Sequence, residues 1–377
     1  MDRIRVLSVF GTRPEAVKMA PVIKALEANP DVDSRVCVTA QHRQMLDQVL
    51  DLFEIKPDYD LNLMRPNQSL AGLTAEVMEN LDPVLADEHP DWVLVQGDTT
   101  TVMTAALAAF YRKIRVGHVE AGLRTGDKRQ PFPEEINRRI AGTIADLHFA
   151  PTELARQNLL HEGVEDEHIH VTGNTDIDAL HMVLKMPAPA GITEKFKEWN
   201  IAEGKNRLVL VTAHRRESFG QPIEDICAAL QTLAHDYAGK LQVAYPVHLN
   251  PNIQEPVYRL LGSEPNIHLL EPLDYLPMVN FMKAASIVLT DSGGIQEEAT
   301  GLGKPTLVLR DKTERPEGVE AGVLRLVGTD PSRIVSETHR LLDNQEEYEK
   351  MARAANPFGD GHAAERIVKA LLEFYEY

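Results

Sequence analysis

The chain has 377 residues, a length that favours two domains of ordinary size. Hydrophobic residues make up 43% and charged residues 25%, which is typical of a globular protein and excludes a disordered chain, a collagen-like repeat and a small disulfide scaffold. The formal net charge of −18 argues against a general nucleic-acid binder, and two distant cysteines, Cys37 and Cys227, argue against a disulfide framework or a cysteine-based zinc site.

Short β-branched runs alternate with helical patterns along the whole chain. The first half predicts strands over residues 4–10, 35–39, 92–96, 116–119, 147–150 and 169–171, and helices over 16–28, 44–53, 70–88, 100–112, 134–144 and 153–160. The second half predicts strands over 208–212, 242–247, 267–270, 287–290, 306–309 and 324–327, again with helices between them. Twelve strands exceed what one open sheet usually carries. We therefore expect an α/β protein with two doubly wound Rossmann-like domains facing a cleft.

The Pro- and Gly-rich segment 186–191 is the expected domain boundary. It predicts an N-terminal domain over residues 1–185, a C-terminal domain over 186–357, and a last helix within 358–377 that packs back on the N-terminal domain. The N-terminus is interpreted as a first strand rather than a signal peptide. No apolar run approaches about 18 residues, so we expect a cytoplasmic protein without a membrane span.

Polar, charged and glycine residues follow many of the predicted strands. They occupy residues 11–15, 97–100, 120–124, 213–217, 248–251, 291–298 and 310–315. In open parallel sheets, ligands bind outside the carboxyl ends of the strands. The pattern therefore predicts that these segments form the functional site.

Four charged residues in the first half are candidates. Arg13 and Lys18 lie at a helix start, where cations oppose the helix dipole and an anion would relieve them. Asp98 is either catalytic or the N-cap of the helix that follows. Glu120 ends an apolar strand, where a carboxylate is costly unless it is used.

Glu134 and Arg138 in the segment PEEINRR have two interpretations. They belong to a site, or they are a first-turn acid and its ion-pair partner four residues along one helix face.

An anion site is predicted in the second half. Ser292, Gly293 and Gly294 precede or open a helix whose N–H groups suit a phosphate, and Glu298 suits ribose hydroxyls. A tight turn is the alternative for the glycines. His214 is followed by Arg215, a setting that favours a phosphate donor over a metal ligand. No metal site is expected, and the sequence lacks a Walker motif, a zincin motif and a credible nicotinamide fingerprint.

Nine blocks of sequence carry a family resemblance over almost the whole chain. They are GTRPEAVKMAP at 11–21, TAQHRQMLDQVL at 39–50, GDTTT at 97–101, GHVEAGLRTGD at 117–127, PEEINRR at 133–139, TAHRRES at 212–218, YPVHLNP at 245–251, TDSGGIQEEA at 290–299 and RDKTERPEG at 310–318. In this order they resemble the non-hydrolysing UDP-N-acetylglucosamine 2-epimerases.

The resemblance implies a GT-B-like fold and the reversible interconversion of UDP-N-acetylglucosamine and UDP-N-acetylmannosamine by a homodimer. It also implies a role in supplying precursor for bacterial or archaeal surface polysaccharide. The family is thought to eliminate UDP to a glycal and add it back, without a cofactor. Elimination requires cations that neutralise the departing diphosphate and carboxylates near C2.

The resemblance also implies roles for individual residues. It assigns the catalytic acids and their helper to Asp98, Glu120, Glu134 and Arg138, with either Asp98 or Glu120 as the base. It assigns UDP contacts to Arg13, Lys18, His214, Arg215, Leu273, Met278, Ser292, Gly293, Gly294, Glu298 and Arg315, with His214 also counted among the catalytic residues. Relatives carry Gln and Phe where Leu273 and Met278 stand, so contacts to uracil there would come from the backbone.

Gln41, His42 and Gln44 match positions where regulated relatives hold a second UDP-N-acetylglucosamine, so activation by substrate is expected. Three alternatives remain at this point. They are a GT-B glycosyltransferase that passes the sugar to an acceptor, a hydrolysing epimerase that releases free N-acetylmannosamine, and a non-catalytic UDP-sugar sensor.

Overall fold

The computed structural model describes residues 3–40, 43–63, 65 and 68–375 and divides into two compact units. Unit 1 comprises Met1–Met182 and Phe358–Tyr377, and unit 2 comprises Val183–Pro357. Each unit is built around one parallel sheet.

Unit 1 holds seven strands and eight helices of the described chain. In chain order they are β1 (Ile4–Phe10), α1 (Arg13–Ala28), β2 (Val32–Val38), α2 (Arg43–Leu52), β3 (Tyr59–Asp60), α3 (Leu70–Glu88), β4 (Trp92–Gln96), α4 (Thr100–Tyr111), β5 (Arg115–Val119), α5 (Glu134–Ile144), β6 (Leu147–Ala150), α6 (Glu153–His161), β7 (Ile169–Val171), α7 (Thr175–Val183, which ends at the first residue of unit 2) and the last helix of the chain, α16 (Ala363–Tyr375).

The sheet of unit 1 has the order β3-β2-β1-β4-β5-β6-β7, and its paired strands run parallel. The chain winds outward from β1 in one direction and from β4 in the other. The segments after β1 and β4 therefore leave the sheet side by side, at the switch point where such folds bind ligands.

Helix α1 begins at Arg13, three residues before its predicted start, because a capping box stabilises its first turn. The Thr12 side chain accepts from the Glu15 N–H, and the Glu15 side chain accepts from the Thr12 N–H. Pro14 fits there because first-turn N–H groups have no partner inside the helix. Glu15 is thereby fixed at the carboxyl end of β1.

Unit 2 holds six strands and eight helices of the described chain, all of them lying within it. They are α8 (Ala190–Glu198), β8 (Arg207–Thr212), α9 (Gln221–Asp236), β9 (Leu241–Pro246), α10 (Pro251–Leu261), β10 (Ile267–Leu270), α11 (Tyr275–Ala284), β11 (Ile287–Thr290), α12 (Gly293–Gly301), β12 (Thr306–Val308), α13 (Pro316–Glu320), β13 (Leu324–Leu326), α14 (Pro331–Asp343) and α15 (Gln345–Ala352).

The sheet of unit 2 repeats the order of the first six strands of unit 1, as β10-β9-β8-β11-β12-β13 with parallel neighbours, and has no counterpart of β7 among the described strands. Its switch point lies between β8 and β11. The predicted fold class, two doubly wound Rossmann-like sheets, is confirmed. No helix of the described chain combines the length and the apolar character needed to cross a membrane.

Candidate active site

The carboxyl ends of β4 and β5 bring Gly97 and Glu120 together in unit 1. Both residues have positive φ, 78° at Gly97 and 63° at Glu120, so the chain turns sharply after each strand. A Cβ at Gly97 would lie 3.5 Å from Glu120 Oε2. A left-handed glutamate costs about 1–3 kcal/mol, a strain typical of functional sites.

The Glu120 carboxylate accepts from three side chains on three different elements. Lys18 of α1 forms an ion pair with Oε1, Asn174 donates to Oε1 at 2.9 Å, and Gln96 donates to Oε2 at 2.5 Å. The Glu120 side chain is only 7% exposed. Lys18, which the resemblance assigned to diphosphate, is therefore paired with the predicted catalytic carboxylate.

Asp98 lies next to Glu120 and is held by α5. Arg138 forms an ion pair with its carboxylate, and Asn137 donates to its backbone carbonyl at 2.9 Å. Burial raises the pKa of Asp98, Arg138 opposes that rise, and the charge of Glu120 adds to it. The alternative of Asp98 as an N-cap is wrong, because Thr99 caps α4 by accepting from the Val102 N–H.

Arg138 is paired with Asp98 and Glu135, rather than with Glu134 as the structural alternative predicted. Glu135 is fully buried and accepts from the N–H groups of Thr125 and Gly126, so it holds the loop that follows β5. Glu134 is half-buried, and its Oε2 has no hydrogen-bond partner among the described residues.

Glu15 joins the two loops at the switch point of unit 1. Its Oε2 accepts from the N–H groups of Gly11 and Thr12, and its Oε1 accepts from the Thr99 hydroxyl at 2.8 Å. Burial raises the pKa of this carboxyl, and the hydrogen bonds lower it. One side chain therefore anchors the backbone just before Arg13 and the residue just after Asp98. Arg13 is half-buried at the first position of α1.

In unit 2, Asp291 directly follows β11 and organises the segment after β8. This fully buried carboxylate accepts from the N–H groups of His214 and Arg215, at 2.7 and 2.8 Å. Its Oδ1 lies 3.3 Å from His214 Nδ1, and the His248 ring stacks on His214 with the centroids 5.5 Å apart. Burial lowers the pKa of His214, and Asp291 opposes that effect.

Positive charge gathers at the N-terminus of α12. A Cβ placed on Gly293 would lie 3.9 Å from a terminal guanidinium nitrogen of both Arg215 and Arg315. Ser292 is the N-cap, yet its side chain makes no capping bond within the described chain. Two guanidinium groups and a helix N-terminus therefore surround one glycine, an arrangement suited to a phosphate.

The other predicted contacts lie nearby along the chain of unit 2. Glu298 is buried within α12. Glu297, the residue before it, forms an ion pair with Arg315. Leu273 and Met278 are half-buried, before and within the first turn of α11.

Of the predicted regulatory residues, Gln44 is exposed on α2. Gln41 and His42 lie outside the described residues. Elsewhere on the described surface, Glu165, Glu167 and His168 bring one possible ligand atom each within 4.8 Å of the others, a proximity that is common among exposed acidic groups.

Sequence reasoning missed Gln96 and Asn174, and it placed Glu15 and Asp291 within the predicted site segments 11–15 and 291–298 without giving either a role. Gln96 carried a signal, since it is a polar residue ending an apolar strand, the same argument that selected Glu120. Glu15 carried the capping-box signal. Asn174 carried none, because its contact with Glu120 spans 54 residues of sequence.

Comparisons with known proteins identify the family of the chain. The family model described as UDP-N-acetylglucosamine 2-epimerase matches residues 24–372. The UDP-N-acetylglucosamine 2-epimerase of Salmonella typhimurium is 56% identical over 98% of this chain and 99% of its own. That of Escherichia coli K12 is 56% identical over 98% of each chain.

A solved structure of UDP-GlcNAc 2-epimerase from Neisseria meningitidis, bound to UDP-GlcNAc, is similar throughout. It is 51% identical, covers 98% of this chain and 100% of its own, and superposes with a TM-score of 0.90. The predicted resemblance is confirmed. The chain belongs to the UDP-N-acetylglucosamine 2-epimerase family.

Proposed function

We propose that this protein interconverts UDP-N-acetylglucosamine and UDP-N-acetylmannosamine by eliminating UDP and adding it back. The observation that carries the proposal is the cluster in unit 1, where Glu120 is paired with Lys18 beside Asp98 and Arg138. Membership of the family supports an epimerase over the glycosyltransferase alternative. A sensor that only bound an anionic ligand would gain nothing from adjacent acids.

Inversion at C2 needs a route that removes and returns one proton. In the elimination, a carboxylate takes the C2 proton, the C2–H electron pair forms the C1=C2 bond, and the C1–O pair leaves with UDP. Addition reverses these changes after protonation of the opposite face of C2. Two acids at the site, Asp98 and Glu120, suit a reaction that exchanges a proton on two faces.

The departing diphosphate requires a positive environment. We assign it to the N-terminus of α12, with Ser292, Gly293 and Gly294 as backbone donors. The side chains that we assign to it in unit 2 are His214, Arg215 and Arg315, and the family resemblance also assigns Arg13 to the diphosphate. These groups are charged or dipolar before substrate arrives, so little reorganisation accompanies the departure of UDP.

Three finer assignments accompany this proposal. Glu298 would hold the ribose, and backbone groups at Leu273 and Met278 would contact uracil. Gln44, with Gln41 and His42, would contact a second UDP-N-acetylglucosamine that activates the enzyme.

We further propose a homodimer that works in the cytoplasm on precursors of surface polysaccharide. Two features support parts of this proposal. The described cysteines are free, buried thiols. Four exposed apolar side chains on packed helices, Phe110, Tyr111, Ile136 and Ile140, form what we call the α4–α5 face. Large exposed apolar side chains on neighbouring helices are typical of a protein interface.

The decisive experiment is incubation with UDP-N-acetylglucosamine in D2O, followed by NMR at C2. UDP-N-acetylmannosamine should appear with deuterium at C2. Glu120→Gln should slow exchange by about 10²–10⁴-fold while UDP binding stays within about twofold, because the amide keeps the shape and cannot take a proton.

Glu88→Gln is the matched control. Glu88 accepts from the Tyr59 hydroxyl at 2.7 Å, away from the switch point, so its loss of charge should not affect exchange. Release of UDP only when an acceptor is added, or release of free N-acetylmannosamine as the main product, would overturn the proposal.

A further inference from the structure

The surroundings of Glu120 distinguish it from Asp98. We infer that Gln96 and Asn174 are positioning residues that hold Glu120 as an ionised carboxylate, aimed to accept the C2 proton. The inference rests on the proposed epimerase reaction and assigns roles to two residues outside the predicted site.

Both amides are rigidly placed by the fold. Gln96 is the last residue of β4 and pairs in register with Val119, the residue before Glu120. Asn174 follows β7, and its N–H donates to the Phe358 carbonyl at 2.6 Å. Gln96 and Asn174 are each only 2% exposed. Neither side chain therefore needs to be ordered when substrate binds.

The orientation of the two amides follows from chemistry. A carboxylate accepts and cannot donate, so each amide must present its NH2 group to Glu120. Gln96 serves Oε2 and Asn174 serves Oε1, so the carboxylate plane is fixed at both oxygens. A proton on either oxygen would point at an N–H donor. The pair therefore favours the ionised form of Glu120.

Lys18 alone would not fix the orientation of the Glu120 carboxylate. Its ammonium also donates to Oε1, but it is a point charge on a flexible stem and leaves the carboxylate free to rotate. Two neutral amides on different elements supply direction without adding charge. Asp98, by contrast, is paired with the Arg138 guanidinium, and burial and the nearby charge of Glu120 both raise its pKa. Environments that differ in this way separate the protonation states of two carboxyls.

The test is the pH dependence of kcat/KM for epimerisation by full-length Gln96→Glu and Asn174→Asp. Each change keeps the shape of the side chain and replaces its NH2 donor with a carboxyl oxygen. It thereby places a second carboxyl within hydrogen-bond reach of Glu120. Two carboxyls at that distance share a proton. The acid limb of the profile should move up by about one pH unit or more, and kcat at pH 7 should fall at least about tenfold. UDP affinity should stay within about twofold.

Gln231→Glu is the matched control. Gln231 donates to Glu264 at 3.1 Å in unit 2, so the variant creates the same pair of carboxyls outside the site. Its profile should coincide with that of the wild type. Gln96→Met removes the donor without adding a charge, and should move the limb in the same direction by less.

The outcomes separate the two claims. If the wild type forms no UDP-N-acetylmannosamine, the proposed function fails. If the wild type is active and the folded, UDP-binding variants keep its acid limb within about 0.3 pH unit, the amides are structural and the inference is overturned.

Discussion

Gly293 stands at the first position of α12, between the guanidinium groups of Arg215 and Arg315. A methyl group there would make only ordinary protein contacts, at 3.9 Å, yet it would occupy the space that a phosphate needs between two cations. Gly293→Ala should therefore leave stability unchanged or raise it by about 0.5–1 kcal/mol. UDP affinity should fall at least about tenfold, measured by calorimetric titration.

Gly191→Ala is the control for Gly293→Ala. A Cβ at Gly191, within α8, would meet no heavy atom of the described chain within 4 Å. It should change the melting temperature in the same way and leave UDP binding alone. Equal UDP affinity in Gly293→Ala and wild type would remove the diphosphate from the N-terminus of α12.

The candidate catalytic side chains were easier to select from the sequence than the side chains that hold them. Glu120 stood out because a charge at the end of an apolar strand needs a reason. Gln96 and Asn174 are neutral, so the strand-end position of Gln96 gave a weaker signal than a charge would, and Asn174 gave none. Asp291 lies inside a recognised block, but its role depends on a contact with the His214 N–H, 77 residues away. Such contacts appear only when the sheet is assembled.

Two strands of unit 1 carry buried histidines side by side. His118 of β5 is in register with His148 of β6, and His118 Nε2 donates to the Gly97 carbonyl at 2.7 Å. Burial lowers the pKa of His118 to about 4 and that of His148 to about 3. Both rings are therefore neutral in the folded protein at neutral pH.

The pH dependence of stability follows from these directions. A histidine in the unfolded chain titrates near pH 6.5, so above that pH neither ring makes the free energy of unfolding depend on pH. As the pH falls from 6.5 towards 4, the unfolded chain binds protons that the folded chain does not, and stability is lost. At pH 5 each ring should lower the free energy of unfolding by roughly 2 kcal/mol relative to neutral pH.

His118→Gln tests this cost, because the amide can still donate towards the Gly97 carbonyl but does not titrate. Its loss of unfolding free energy between pH 7 and 5 should be smaller than that of the parent by roughly 2 kcal/mol. Trp92 reports on unit 1 when the second tryptophan is removed by Trp199→Phe in both proteins. Parallel curves for parent and variant would mean that folded His118 takes up protons as readily as it does in the unfolded chain.

At the scale of elements, the central strands were predicted within a residue or two because they are apolar runs buried on both faces. The polar parts of the sheet were missed. Strand β2 begins at Val32, and its polar start pairs Asp33 with Arg5 at 2.9 Å. Strand β3 has two residues, Tyr59 and Asp60, too few for any periodic pattern.

At the scale of the whole molecule, the same strand order appears twice, with different chemistry at each switch point. Unit 1 places carboxylates there, and unit 2 places cations and a helix N-terminus. The repetition was predictable from alternating strands and helices, because right-handed βαβ units leave few other topologies. The division of chemistry was predictable in outline, since the acids follow strands of the first half and the phosphate-type signals follow strands of the second.

The α4–α5 face makes a prediction about assembly. Phe110 is 59% and Tyr111 65% exposed, and both border an open groove that continues to Ile144 on α5. Ile136 and Ile140 are also exposed, and with Ile144 they recur every four residues, which places them on one side of α5. A second copy of the chain can cover this face through a two-fold axis, with each copy burying the same residues.

Phe110→Asp and Ile140→Glu should each convert the proposed dimer to monomers at micromolar concentration, because a charge buried in an apolar interface loses its hydration without gaining a partner. Light scattering after size-exclusion chromatography measures the mass. Leu249→Glu is the control, since Leu249 is equally exposed, at 60%, but lies in unit 2. A monomeric wild type contradicts the homodimer itself. If the dimer survives both changes in the α4–α5 face and dissociates with Leu249→Glu, the interface lies in unit 2. A new charge weakens a dimer only where its side chain is buried in the interface.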